Sequence, residues 1–114
     1  MLTASAISAL ISEYTTHGWV LRRALLSNPP NDSDTSDIFS DVEILASDID
    51  ALWFSRRSRP DRETWELRRL RGTPYAVDSF LEATMDTETR EEILADAEDR
   101  MRESMTIFSG NQAK

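Results

Sequence analysis

The spacing of apolar residues predicts an α+β domain. A small antiparallel sheet of three to four strands, built on a central β-hairpin, is flanked by an N-terminal helix and a longer C-terminal amphipathic helix. Three observations predict it. Ile7, Leu10, Ile11 and Tyr14 fall at i, i+3, i+4 and i+7 near the start. Ile93, Leu94, Ala97, Met101, Met105 and Phe108 make one long apolar stripe near the end. Between them, two aromatic-bearing runs flank the turn-like "SRPDRE".

The first helix is expected over about 4–16, with Thr3 or Ser5 as its cap and Gly18 at its C-terminal stop. "WVLRRALLS" follows and is cut short by "NPPNDSD", which predicts a strand covered on both faces. Residues 28–41 are rich in Pro, Asn, Ser and Asp, with Ile38 and Phe39 as the only apolar anchors. A mobile polar loop is expected there.

Residues 42–49 fit either a helix or a weak strand. Val42, Leu45, Ile49 and Leu52 suit a helix, whereas the β-formers of "IDALWFS" favour a strand or turn at 42–46. The hairpin arms are predicted at 50–57 and 63–70. Residues 75–84 again allow two structures, because Val77, Phe80, Leu81 and Thr84 have helical spacing yet tolerate a short strand. Asp86 or Thr87 caps the last helix. Residues 1–108 are expected to form one domain and 109–114 a disordered tail.

The charge is unevenly placed. The 114-residue chain carries a net −8, divided as −5 over residues 1–48, +3 over 49–71 and −6 over 72–114. The stretch "WFSRRSRPDRETWELRRLRG" (53–72) holds seven of the twelve arginines and two of the three tryptophans. Arg56, Arg57, Arg59, Arg62, Arg68, Arg69 and Arg71 are therefore the candidate partner-binding residues. Alternation points Trp53 and Trp65 into the core, which removes the exposed aromatics a single-stranded nucleic-acid platform needs. The arginines then offset the protein's own acids, through pairs such as Arg56 with Glu63 or Glu66, or meet a partner protein. Nucleic acid ranks below both, because a net −8 disfavours it.

Other chemistries find little support. The chain has no cysteine, one histidine (His17) and three well-separated glycines, so thiolate catalysis, cysteine-based metal sites and a phosphate loop are absent. His17 sits where it would favour the end of the first helix. "DSDTSD" at 32–37 lacks the glycine of a calcium loop. Neither cofactor nor metal is expected, and catalysis is not.

No basic leader or bilayer-length apolar run is present, so no membrane contact is expected and the cytoplasm is the expected compartment. The Met-rich stripe end, Met101, Met105 and Phe108, is the candidate face for a dimer or partner. The expected function is a non-catalytic, homodimeric protein-interaction domain. A nucleic-acid-associated regulator using 56–71 is the alternative, and a small-ligand-binding domain the lesser one.

Overall fold

The computed structural model describes residues 4–27, 39, 42–70 and 75–112, with side chains from Ser5 to Ser104. The order is α1 (Ala4–Thr16), β1 (Val20–Leu26), β2 (Glu43–Ala46), β3 (Ala51–Arg59), β4 (Arg62–Arg69), β5 (Ala76–Glu82) and α2 (Thr87–Gln112). The α+β class holds. The sheet, however, has five strands in the order β2-β1-β3-β4-β5 and is not wholly antiparallel. β2 runs parallel to β1, with Ala24 opposite Ile44, while the other neighbours are antiparallel. A parallel pair needs a crossover of a dozen or more residues. The stretch between Leu26 and Glu43 is long enough to provide one. The loop predicted at 28–41 lies outside the described residues except for Phe39, which is buried.

Each helix ends or starts for local reasons. Gly18 has φ 88°, a left-handed conformation that favours glycine. Its N–H donates to the Thr15 carbonyl at 3.0 Å, and the Trp19 N–H donates to the Tyr14 carbonyl at 3.1 Å. These are the two bonds of a Schellman motif, and the Tyr14–Trp19 edge contact (centroids 5.9 Å apart) supplies its apolar clasp. His17 donates through Nδ1 to the Glu13 carbonyl at 2.9 Å, the helix-end role expected of it. At the other end, Asp86 is the cap of α2: its Oδ1 accepts from the Thr89 N–H at 2.8 Å. The α2 backbone continues to Gln112, four residues past the boundary periodicity gives; 113–114 lie outside the described residues.

The sheet separates two cores. On one face, Leu25, Ala51, Trp53, Trp65, Leu67, Val77 and Leu81 pack with Leu94, Ala97 and Met101 of α2. On the other, Ala24, Leu26, Leu52 and Phe54 pack with Phe39 and with Ile7 of α1. Strand period two makes this division, so consecutive residues of β3 serve opposite helices. Trp53 and Trp65 face inward as predicted, 0% and 6% exposed. Residues 76–82 form a strand, since Val77, Ser79 and Leu81 are buried while Ala76, Asp78, Phe80 and Glu82 are not. Helical spacing fails there because Phe80 lies across the sheet from Val77 and Leu81.

A register shift in β1 between Leu21 and Arg23 turns both Arg22 and Arg23 toward α2. Their guanidiniums lie 5.4 and 5.9 Å from the Trp65 ring. Arg23 also forms a bidentate pair with Glu91 (3.1 and 2.8 Å). Glu98 on α2 accepts from Trp53 Nε1 at 3.1 Å and lies 3.8 Å from Arg102.

Candidate partner-binding face

The α1-side core draws its strand residues from β1 and β3 and none from β4 or β5. Most of the β4–β5 half of that face therefore lies beyond α1, although Thr64 on it is buried and Tyr14 of α1 reaches Glu66. Its side chains are Arg62, Thr64, Glu66 and Arg68 from β4, with Ala76, Asp78, Phe80 and Glu82 from β5. The antiparallel register arranges them in rows: Arg62 with Glu82, Thr64 with Phe80, Glu66 with Asp78, Arg68 with Ala76. Phe80, on the edge strand, is 55% exposed among these charged side chains. It is one of four exposed large hydrophobics among the described residues, with Val20 (54%), Ile44 and Tyr75 (37% each).

The candidate arginines are not gathered into one patch. Arg56 lies opposite Thr64, its guanidinium 4.5 Å from the Trp19 ring and its Nη1 donating to the His17 carbonyl at 3.3 Å. The expected pairing of Arg56 with Glu63 or Glu66 is not formed. Glu63 points to the α2 side, where Arg90 (3.1 Å) and Arg22 (3.9 Å) hold it. Arg62 pairs with Glu82 at 3.5 Å and lies 5.8 Å from the Phe80 ring. Arg68 shares the α1-side face, while Arg57 and Arg69 belong to the opposite one, and Arg59 is exposed at the turn. Arg71 lies outside the described residues. With helices on both faces, the sheet has no single outer surface on which alternating arginines could collect.

The second candidate set is also redistributed. Met101 is 0% exposed and packs within the chain's own core, so it offers nothing to a partner. The side chains of Met105 and Phe108 lie outside the described residues. Among the described residues, no group of three or more His, Cys, Asp or Glu is placed to hold a metal ion, and no helix is long and apolar enough to cross a membrane. The calcium-like run at 32–37 lies outside them.

Where α1 meets the open half-face, three polar groups converge that sequence reading missed. The Tyr14 ring stacks on Phe54 (4.1 Å, 18°), and its hydroxyl donates to Glu66 Oε2. Glu66 in turn lies directly opposite Asp78 across the β4–β5 pair. Burial first, then the neighbouring Asp78, push the Glu66 carboxyl above the usual glutamate range. Burial, with the bond and charge of Glu66, likewise raises the Tyr14 phenol. Glu63 behaves oppositely. Burial alone would raise it, but bonds from Trp65 Nε1 and Arg90 and the nearby charges of Arg22 and Arg90 hold it below its ordinary value. Two small clefts border the half-face. One of about 290 Å³ is lined by Glu13, Tyr14, His17, Trp19 and Glu66. The other, about 350 Å³, lies beside Leu10, Arg68 and Tyr75. Both are at the bottom of the range that suits small molecules.

A pH effect follows. Folded Glu66 holds its proton to higher pH than the unfolded chain, where the ordinary value is 4.5. Below that value both states are protonated and folding carries no penalty. As pH rises above it the unfolded state ionises freely, folded Glu66 ionises less readily, and stability falls. Glu66→Gln can accept from Tyr14 and donate to Asp78 without that conflict. It is expected to stabilise the fold at pH 7 by on the order of 0.5–1 kcal/mol, the size of one cross-strand charge interaction. Urea unfolding at pH 4 and pH 7 checks this: the gain should shrink at pH 4. A destabilised variant at pH 7 would contradict the raised carboxyl of Glu66.

No protein-family model, curated protein or solved structure matches this chain.

Proposed function

We propose that this chain is a non-catalytic, homodimeric protein-interaction domain that binds an extended segment of a partner protein on the open β4–β5 half-face. The observation that carries this is Phe80, 55% exposed amid paired charges on a strand whose other face is buried. Rows on one sheet face repeat every two residues, about 6.6–6.8 Å, the repeat of an extended segment laid along the strands. A partner residue over the Thr64–Phe80 row gains by being apolar. A residue two positions away, over the Glu66–Asp78 row, gains by being basic. The favoured ligand is therefore an extended segment with an apolar residue and a Lys or Arg two apart.

The placement of the arginines supports protein over nucleic acid. Trp53 and Trp65 are buried and cannot stack with bases, Arg62 is engaged by Glu82, and Arg56 lies on Trp19. His17 is occupied by the Glu13 carbonyl, which favours a structural role for it over catalysis.

Selection of a displayed random-peptide library on the purified protein tests this. Enriched peptides are expected to carry the apolar-x-basic pattern and to lose binding by about tenfold or more on Phe80→Glu. Peptides that bind Phe80→Glu as well as the native chain, or failure to enrich any, would contradict the proposal. Duplex and single-stranded oligonucleotides are expected to bind no tighter than about 10⁻⁴ M at physiological salt. Micromolar, salt-dependent binding lost on changing Arg57, Arg59 and Arg62 to alanine would reassign the function to nucleic acid.

A further inference from the structure

The β5 edge, the last strand of the sheet among the described residues, carries a register of its own. The Arg69 N–H donates to the Tyr75 carbonyl at 2.9 Å, and the Ala83 N–H donates to the Asp61 carbonyl at 2.8 Å. Hydrogen-bonded pairs alternate in an antiparallel ladder. Residues 75, 77, 79, 81 and 83 are therefore the ones bonded to β4. Ala76, Asp78, Phe80 and Glu82 turn their N–H and C=O outward, and β5 is the last strand of the order. The strand is seven residues long and has no proline, no lysine and no register shift. Of the guards that natural edges carry against pairing, it has only the charges of Asp78 and Glu82.

We infer that two copies of this chain join edge to edge through antiparallel β5 strands, with Ser79 opposite Ser79 of the second copy. The inference rests on the homodimeric reading above and specifies its interface. Three neighbouring two-fold registers use the outward groups. Centring the axis on Asp78 sets Asp78 against its own copy, and centring it on Phe80 sets Asp78 against Glu82. Both place like charges directly opposite each other, which is destabilising. Both also leave one outward residue beyond the paired strand. Centring on Ser79 instead pairs Ala76 with Glu82 and Asp78 with Phe80, uses all four outward residues of each copy and opposes no like charges. Ala76 is small, so Arg68 on its far side faces Glu82 of the second copy across it. On the α2 side, Val77 then meets Leu81 of the second copy, extending a core in which both are already buried.

The helices agree with this arrangement. Glu91 and Glu98 of α2 reach Arg23 and Trp53, and Arg102 reaches Asp48, so that flank faces the β1–β2 side. At 100° per residue, the flank turned to the β5 edge carries Ile93, Arg100 and Ser104 rather than the acid run. Ile93 is half-buried there. On the other face, the two open half-faces become one platform between two α1 helices, with both Phe80 side chains on it.

Sedimentation equilibrium of two variants beside the native chain tests the inference. The native protein is expected to be a dimer at tens of micromolar. Ser79→Cys, in a chain with no other cysteine, should form a covalent dimer under mild oxidation, because non-hydrogen-bonded antiparallel pairs bring side chains closest. Ile44→Cys on the opposite edge should not. Asp78→Pro deletes an outward N–H without touching the β4 ladder. Losing the two symmetry-related bonds should raise the dimer dissociation constant about 30-fold, at a net worth near 1 kcal/mol each. A native dimer in which Ser79→Cys does not crosslink and Asp78→Pro does not dissociate would overturn this interface while leaving the homodimer standing. A native chain that stays at 13.0 kDa would overturn both, and would leave the edge to a strand of another protein.

Discussion

Trp53→Ala is expected to destabilise the fold by about 3–5 kcal/mol, the usual loss when a large aromatic is removed from a core. Trp53 is 0% exposed, sits edge-on to Trp65 at 6.0 Å and donates Nε1 to Glu98. Truncation leaves a cavity between β3 and α2 and removes a hydrogen bond from a half-buried carboxylate. Small domains hold only about 5–15 kcal/mol in total, so the variant should sit near the edge of folding. Urea unfolding reads the loss directly. Hydrogen exchange should show α2 losing protection before α1. A loss under about 1 kcal/mol would mean that Trp53 is not the keystone of this face.

Phe54→Ala, one residue along, is expected to cost a similar 3–5 kcal/mol but to release the other helix. Phe54 is 0% exposed on the α1 side, and the Tyr14 ring stacks on it. At 13 residues α1 is marginal as an isolated helix, so its order depends on this docking surface. Tyr14 also carries the hydroxyl that holds Glu66, so loosening α1 should disturb the edge of the partner-binding face. Exchange protection is expected to fall in α1 while α2 keeps most of its own. The same pattern of exchange in both variants would show that the sheet does not separate two cores.

Elements defined by a single strong period were legible in the sequence. α1 follows from Ile7, Leu10, Ile11 and Tyr14, and the inward faces of Trp53 and Trp65 follow from strand alternation. β2 was only weakly legible, and its direction not at all, because a polar stretch at 28–41 reads as a loop whether the chain returns by a hairpin or by a crossover. β5 was ambiguous because Val77 and Leu81 are four apart, a spacing a helix and a strand both put on one side; Phe80 decides between them, and its exposure comes from the end of α1 coverage. The site was less legible than the fold. Glu66 and Asp78 meet only through the register that sets Arg62 opposite Glu82, and register depends on contacts across strands. The arginine stretch looked like one feature because it is continuous in sequence. Alternation, the turn and the register shift in β3 between Arg57 and Arg59 divide it among two faces and a turn.

Hydroxyl-radical footprinting of the native protein tests most directly the claim that the aromatic residues of the hairpin are core and Phe80 is the exposed contact. Phe80, 55% exposed, and Tyr75, 37% exposed, are expected to oxidise early. Trp53, Trp65 and Phe54 should stay protected until the protein unfolds, despite the greater intrinsic reactivity of indole. Early oxidation of Trp53 and Trp65 with Phe80 protected would contradict the account, and would put the tryptophans beside the arginines as a stacking surface for nucleic acid.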